Sequence, residues 1–149
     1  MVSFSACLVD TNVLARSIRR ADPSFELVSN SLRKLVSERV RLKYTHQNIA
    51  ELWNVMTRPA ASNELALSHD RALCEVHEIQ SNMALLPDSK AAFHEWLRIV
   101  ARYEVSGVQV YDARLAASMY VHRVPHTLRL NVSDFSRFEG LVPVHPKDV

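Results

Sequence analysis

The chain has 149 residues, of which 48% are hydrophobic and 23% charged, the ordinary make-up of one soluble globular domain with a sizeable core. A net charge of +2 and a sequence pI of about 8.7 permit a nucleic-acid partner without demanding one. With only two glycines, Gly107 and Gly140, there is no Gly-rich phosphate loop, and the isolated Cys7 and Cys74 show neither disulfide nor metal spacing, which fits a reducing compartment.

No charged segment followed by a long apolar run stands at the start, and no apolar stretch reaches membrane length, so a cytoplasmic protein is expected. Charge is unevenly spread. Residues 1–58 carry nine Lys/Arg against five Asp/Glu, whereas 59–104 carry four against seven. The basic part is suited to one wall of a polyanion groove, although a solvated surface explains the same imbalance.

Residues 6–9 are a short apolar run ending at Asp10, the pattern of a buried parallel strand. Asp10-Thr11-Asn12 then passes into a helix, where Asp10 or Thr11 is equally well read as an N-cap or as a functional group. Asp22-Pro23-Ser24 marks a turn and the start of a helix over 25–38, its stripe formed by Leu27, Val28, Leu32, Leu35 and Val36. A second strand is predicted at 41–44. Thr45 caps the next helix, which ends before Pro59. Its apolar stripe is Ile49, Leu52, Trp53 and Met56, so periodicity alone turns Glu51 to solvent.

A loop is predicted at 59–63, then a helix capped by Ser68 and running to about Ala84, with Ala72, Val76, Ile79 and Met83 buried. Residues 85–89 break it. A helix over 90–103 is expected to bury Phe93, Trp96, Leu97, Val100 and Ala101, and Gly107 is placed for a positive φ after it. A helix from near Val110, stopping before Pro125, comes next. His122 and His126 are four apart, but Pro125 keeps them off one helical face and makes a zinc site improbable. Residues 127–130 read as a strand with Arg129 and Asn131 on one side and Leu128 and Leu130 on the other, and 141–144 as a last, edge strand because of Pro143. No repeats or linkers occur, so a single domain spans 1–149. The alternation of strands and helices is that of an α/β fold, an open sandwich around a mostly parallel sheet.

The residue that most needs explaining is Asp112. It shares a helical face with Leu115, Ala116 and Met119, so an otherwise apolar stripe opens on a carboxylate. A helix dipole favours an acid in the first turn, but a charge on an inward face also needs a partner. Asp10 and Asp134 both follow predicted strands, at the carboxyl ends where sites of such folds lie, and Asp112 can face the same crevice.

Four segments resemble, in order, the motifs of PIN-domain ribonucleases, and especially the VapC-type toxins of bacterial toxin–antitoxin pairs. They are Val9-Asp10-Thr11-Asn12-Val13-Leu14, Gln47-Asn48-Ile49-Ala50-Glu51-Leu52-Trp53-Asn54, Tyr111-Asp112-Ala113-Arg114-Leu115-Ala116-Ala117 and Asn131-Val132-Ser133-Asp134-Phe135-Ser136-Arg137-Phe138. Each is weak alone; together they are specific, and the resemblance spans residues 8–146. The resemblance implies a three-layer α/β/α sandwich and Mg²⁺- or Mn²⁺-dependent endonucleolytic cleavage of RNA. It matches Asp10, Glu51, Asp112 and Asp134 to the family's acidic positions, Thr11 and Asn12 to the polar support beside the first acid, and Asn131 to the polar residue before the last. It further implies an antitoxin partner, often with a tail that brings a basic side chain to the acids, and a homodimer.

The chemistry is consistent with that implication. Clustered carboxylates do not all stay ionised without a cation, and all-oxygen donors select hard ions such as Mg²⁺ or Mn²⁺. Asp10 and Asp112 are expected to anchor the main ion, with Glu51 and Asp134 holding a second ion or its water. One departure stands out. Arg129 occupies a position where the family usually has Thr or Ser. By strand alternation its guanidinium can reach the acids, to grip a phosphate or to pair with Asp134 or Glu51 in competition with an ion; the alternative is that its stem bends out to solvent. Arg129 therefore keeps a second reading open, a PIN-like module that no longer cleaves and binds RNA or protein. A third reading, aspartyl-phosphate chemistry, wants a second acid two residues past the first, where Asn12 stands.

Overall fold

The structure, a computed structural model, describes residues 1–59 and 65–149. Apart from Pro59, the loop predicted at 59–63 lies outside them. The chain forms β1 (Ala6–Val9), α1 (Thr11–Ile18), α2 (Phe25–Ser37), β2 (Arg41–Thr45), α3 (His46–Thr57), α4 (His69–Asn82), β3 (Ala84–Leu86), α5 (Lys90–Arg102), α6 (Gln109–His122), β4 (His126–Leu128) and β5 (Val142–Val144). Short 3₁₀ turns cover Ser133–Phe135 and Pro146–Asp148. The five strands make one sheet in the order β3-β2-β1-β4-β5, and every pairing is parallel.

The apolar run of β1 is explained by burial on both faces. Cys7 and Val9 enter a core with α1, α2 and α3, while Leu8 enters a second core with α5, α6, Phe135 and Phe138. Alternate side chains of one central strand thus feed two helical layers, which makes the α/β/α sandwich. The strand order places β1 and β4 side by side, and their register, Leu8 to Thr127 and Val9 to Leu128, brings the ends of both strands to the same level.

Local signals set several boundaries as expected. Thr45 caps α3 in a reciprocal box with Asn48, Ser68 caps α4 through the amide of Arg71, and Gly107 sits at φ +61 ahead of α6. Pro143 lies in the edge strand β5. Three expectations are corrected. The helix predicted to reach Ala84 ends at Asn82, and Ala84–Leu86 is a strand paired with β2. Pairing with a strand distant in sequence turns Ala84 and the first residues of the expected helix break into β structure. The predicted strand at 127–130 is shifted to His126–Leu128, although the amide of Arg129 still bonds the Val144 carbonyl. In α5 the expected core face is turned aside. Ile99 is its buried residue, Phe93 and Leu97 are 54% and 44% exposed, and Ala101 is exposed too. The helix packs chiefly on α6, with the Trp96 indole donating to the Val110 carbonyl at 2.9 Å, while Ile99 reaches the core that holds Leu8 of β1 and Leu86 of β3.

Candidate active site

β1 stops at Asp10, whose backbone amide bonds the Leu128 carbonyl at the end of β4. The Asp10 carboxylate accepts from the amide of Asn12 at 3.4 Å and caps α1. The capping and functional readings of Asp10 are therefore compatible: one oxygen closes the helix while the other is turned toward Arg129. The side-chain environment is nearly dry, Asp10 being 6% exposed. Thr11 is buried behind it and accepts from the amide nitrogen of the Asn48 side chain at 3.1 Å. Asn48 is fully buried, and its side-chain oxygen also accepts from the Thr45 amide at 2.9 Å and hydroxyl at 2.8 Å. This ties the starts of α1 and α3 together. Asn12 contributes through its backbone N–H; its side chain is exposed.

Asp112 lies in the first turn of α6 and faces Arg129, which follows β4. One guanidinium nitrogen stands 3.2 Å from Asp112 Oδ1 and 3.9 Å from Asp10 Oδ1. Arg129 is 5% exposed and stacks over the Phe135 ring at 4.4 Å, while its Nε and Nη1 are buried without a partner among the described residues. The solvent alternative for Arg129 is thus not what the fold adopts, and its acid partners are Asp112 and Asp10 rather than Asp134 or Glu51. Phe135 and the bond from its own amide to β5 hold the stem inside.

Glu51 is half-buried, not a solvent-face residue. Gln47, one turn before it, donates to Glu51 Oε1 at 2.7 Å and to the Tyr111 carbonyl at 3.0 Å, so the polar edge of α3 is turned toward the start of α6. Periodicity missed this because the buried face of α3 includes the polar Gln47 and Asn48 beside Leu52 and Met56. Both belong to the second motif, whose polar opening was the signal available. Asp134, on the 3₁₀ turn, is exposed and accepts from the Asn131 side chain at 2.6 Å, with Ser133 in turn donating to Asn131 at 2.9 Å. Asn131 therefore supports Asp134, but no hydrogen bond or ion pair joins Asp134 to the other acids.

The electrostatics centre on Asp10. Burial raises its pKa, the Arg129 guanidinium only partly opposes this, and the charges of Asp112 and Glu51 add to the rise. Three carboxylates against one guanidinium leave a charge of −2 when all are ionised. That donor set suits a hard divalent ion in kind and in charge. As placed, the side chains are gathered round Arg129, and among the described residues no three His, Cys, Asp or Glu converge to hold a metal.

A parallel α/β/α sandwich with a buried acid at the end of its central strand, facing an acid from the start of a following helix, defines the class. The PIN domain family model matches residues 7–134, and the chain belongs to that family. Its fold is shared with VapBC2 from Rickettsia felis bound to a DNA fragment from its promoter (14% identity, TM-score 0.71, 94% of this chain and 98% of that one). It is shared too with FitAcB from Neisseria gonorrhoeae (16%, 0.66, 96% and 99%). A further likeness is to VapC20 from Mycobacterium tuberculosis, described as a Sarcin-Ricin loop cleaving toxin (13%, 0.60, 81% and 86%). No curated protein matches the chain by sequence.

Proposed function

We propose that the protein is a Mg²⁺- or Mn²⁺-dependent endoribonuclease and the toxin of a toxin–antitoxin pair. The observation that carries this reading is the buried, under-compensated Asp10 carboxylate with Asp112 and Glu51 in electrostatic reach. Family membership and the toxin–antitoxin complexes among the structural neighbours support it. Asp10, Asp112 and Glu51 would hold the ion, and Asp134, held by Asn131, would supply a fourth carboxylate. A divalent ion held there would supply a water of lowered pKa and positive charge to offset that developing on the phosphate.

The chain's own residues do the rest. Gln47 fixes the Glu51 carboxylate and the first turn of α6 in one contact, so acid and helix keep register. Asn48 and Thr11 hold the passage behind Asp10. Arg129, released from Asp112, presents a fork suited to two phosphate oxygens. Exposed Phe93 and Leu97, one turn apart on α5, form the apolar surface that a homodimer would cover. The antitoxin would bring its own basic group to the acids. A cytoplasmic setting suits an RNA substrate, and among the described residues no helix is long and apolar enough to cross a membrane.

The test is cleavage of RNA by wild type and Asp112→Asn, with Mg²⁺ and with EDTA. Wild type should cut only with the ion, and the variant should be slower by about 10²–10³ or more, the scale of one lost electrostatic contact. Wild-type rates from Asp112→Asn would refute the assignment. The contact of Arg129 with Asp112 and Asp10 favours a second reading, a PIN-like module that binds RNA or protein without cutting. Calorimetric titration with Mn²⁺ separates the two, since the binding module takes up little metal.

A further inference from the structure

Three arginines of the basic segment 1–58 meet beside the acid crevice, and the topology explains why. β1 and β2 are parallel neighbours, and α1 and α3 each begin directly past the end of their strand. The two helices therefore run back over one face of the sheet side by side, packed on each other, with the Asn48–Thr11 bond joining their starts at 3.1 Å. On α1, Asn12, Arg16 and Arg19 follow at i, i+4 and i+7, and on α3 Glu51, Val55 and Arg58 repeat the spacing. Each helical face thus opens at the acids and ends on arginine. At about 1.5 Å per residue, Arg16 lies roughly 9 Å past Asp10 and Arg58 roughly 10 Å past Glu51.

Asn12, Arg16, Arg19, Val55 and Arg58 line one groove of about 150 Å³, and Asp22 is the acid among its described lining residues. That is well below the roughly 300 Å³ at which small-molecule pockets begin, so the groove suits a chain laid across it rather than an enclosed ligand. Arg16 is held in place there. Its Nη1 donates to Asp22 Oδ2 at 2.8 Å, and Asp22 Oδ1 accepts from the Ser24 amide at 2.8 Å. The Asp22 side chain is 9% exposed and that of Arg16 42%, so a buried acid fixes a cation that still faces solvent. A freely solvated arginine has no such anchor. Arg19 and Arg58 have contacts of their own, and with five N–H donors each guanidinium can keep a partner and still meet a phosphate. Asn12 joins groove to crevice: its amide bonds Asp10 Oδ2 at 3.4 Å, while its side chain is exposed at the groove.

We propose that this groove is the track by which a single RNA strand leaves the acid crevice, with Arg16, Arg19 and Arg58 holding phosphates on one side of the scissile bond. The proposal takes its ligand from the endoribonuclease reading and adds where the strand runs. The reach fits: roughly 10 Å is on the order of two or three nucleotides at a rise of about 3.4 Å each. The chemistry fits as well, since planar guanidinium forks match phosphate oxygens, and phosphate contacts position a strand without reading its sequence. The acids alone repel such a backbone, and a row of cations beside them offsets that repulsion.

The experiment is fluorescence anisotropy of a labelled single-stranded oligoribonucleotide with the full chain in EDTA, repeated at rising KCl, so that binding is read without cleavage. The double variant Arg16→Gln, Arg58→Gln should bind about tenfold or more weakly than wild type, the scale of a lost charged hydrogen bond. The slope of log K against log salt should also shrink by about 0.7 for each phosphate contact removed. Arg98→Gln, on α5 across the sheet, removes a charge elsewhere and should bind as wild type. Should the double variant melt lower than wild type, Arg58→Gln alone, at an exposed position, gives the same reading. With Mg²⁺ the double variant should raise KM more than it lowers kcat. No RNA binding by wild type, unchanged affinity and salt slope in the variants, or an equal loss in Arg98→Gln would each overturn the track. So would an acidic peptide of matched charge that binds as tightly as the RNA. A wild type that binds RNA through the arginines but cuts none upholds the track and removes the nuclease reading. One that cuts, with variants that bind and cut as it does, does the reverse.

Discussion

Asp10 is held at a cost. Burial lifts its carboxyl above the ordinary 3.8, so over the window just above that value the native state keeps a proton that the unfolded chain has lost. Native stability therefore falls as pH rises through that window, and ionised Asp10 remains a penalty at neutral pH. Asp10→Asn, which caps a helix equally well, should raise the melting temperature of metal-free protein at pH 7 and abolish the rise produced by Mn²⁺ in wild type. A lower melting temperature in EDTA would contradict this account. Arg129 is the opposite case. It is the guanidinium that faces both Asp10 and Asp112, and Arg129→Thr takes that counter-ion from the two carboxylates, a loss on the order of 3 kcal/mol. Metal-free Arg129→Thr should thus unfold at lower urea, and Mn²⁺ should restore it by more than it stabilises wild type. Equal Mn²⁺ shifts in the two proteins would show that the guanidinium does not compete with the ion.

At the scale of elements, α5 and α6 carry the most instructive contrast. α6 buries Ala113, Leu115, Ala116, Ala117, Ser118 and Met119, most of its circumference, packed on α5 and in one core with Leu8 of β1, Phe135 and Phe138. α5 buries Ile99 and leaves Phe93 and Leu97 outward. If that surface pairs two copies, Leu97→Asp should convert a dimer to a monomer in sedimentation velocity while leaving the circular dichroism of α5 unchanged. A variant that stays dimeric places the interface elsewhere.

For the whole molecule, the parallel sheet means that the two ends of the strands face different surroundings. The carboxyl ends gather Asp10 and Arg129, and the amino ends gather Arg41, Arg123 and His126. Burial pushes the His126 imidazole below its ordinary 6.5. As pH falls below that value the unfolded chain takes up a proton that the native state resists, so this contribution to stability is present above 6.5 and lost on acidification. His126→Phe, which keeps an aromatic ring against Phe4, should flatten the decline in unfolding free energy between pH 7 and pH 5. An unchanged slope would exclude His126 as a source.

The sequence by itself determined the layers and their order. Apolar runs of four or five residues alternating with capped helical stripes leave few arrangements other than helices on both faces of a parallel sheet, and Asp10, Thr45, Ser68 and Gly107 mark helix boundaries through chemistry local to the chain. Such signals act over a few residues and survive without the fold. What only the tertiary structure decided depends on residues far apart in sequence. Ala84–Leu86 becomes a strand because β2 lies beside it, Glu51 leaves the solvent because Gln47 reaches the Tyr111 carbonyl, and α5 leaves Phe93 and Leu97 outward because the side chain it lays against α6 is Trp96. Arg129 meets Asp112 and Asp10 for the same reason: pairing of β1 with β4 sets their distance, and no spacing along the chain encodes it.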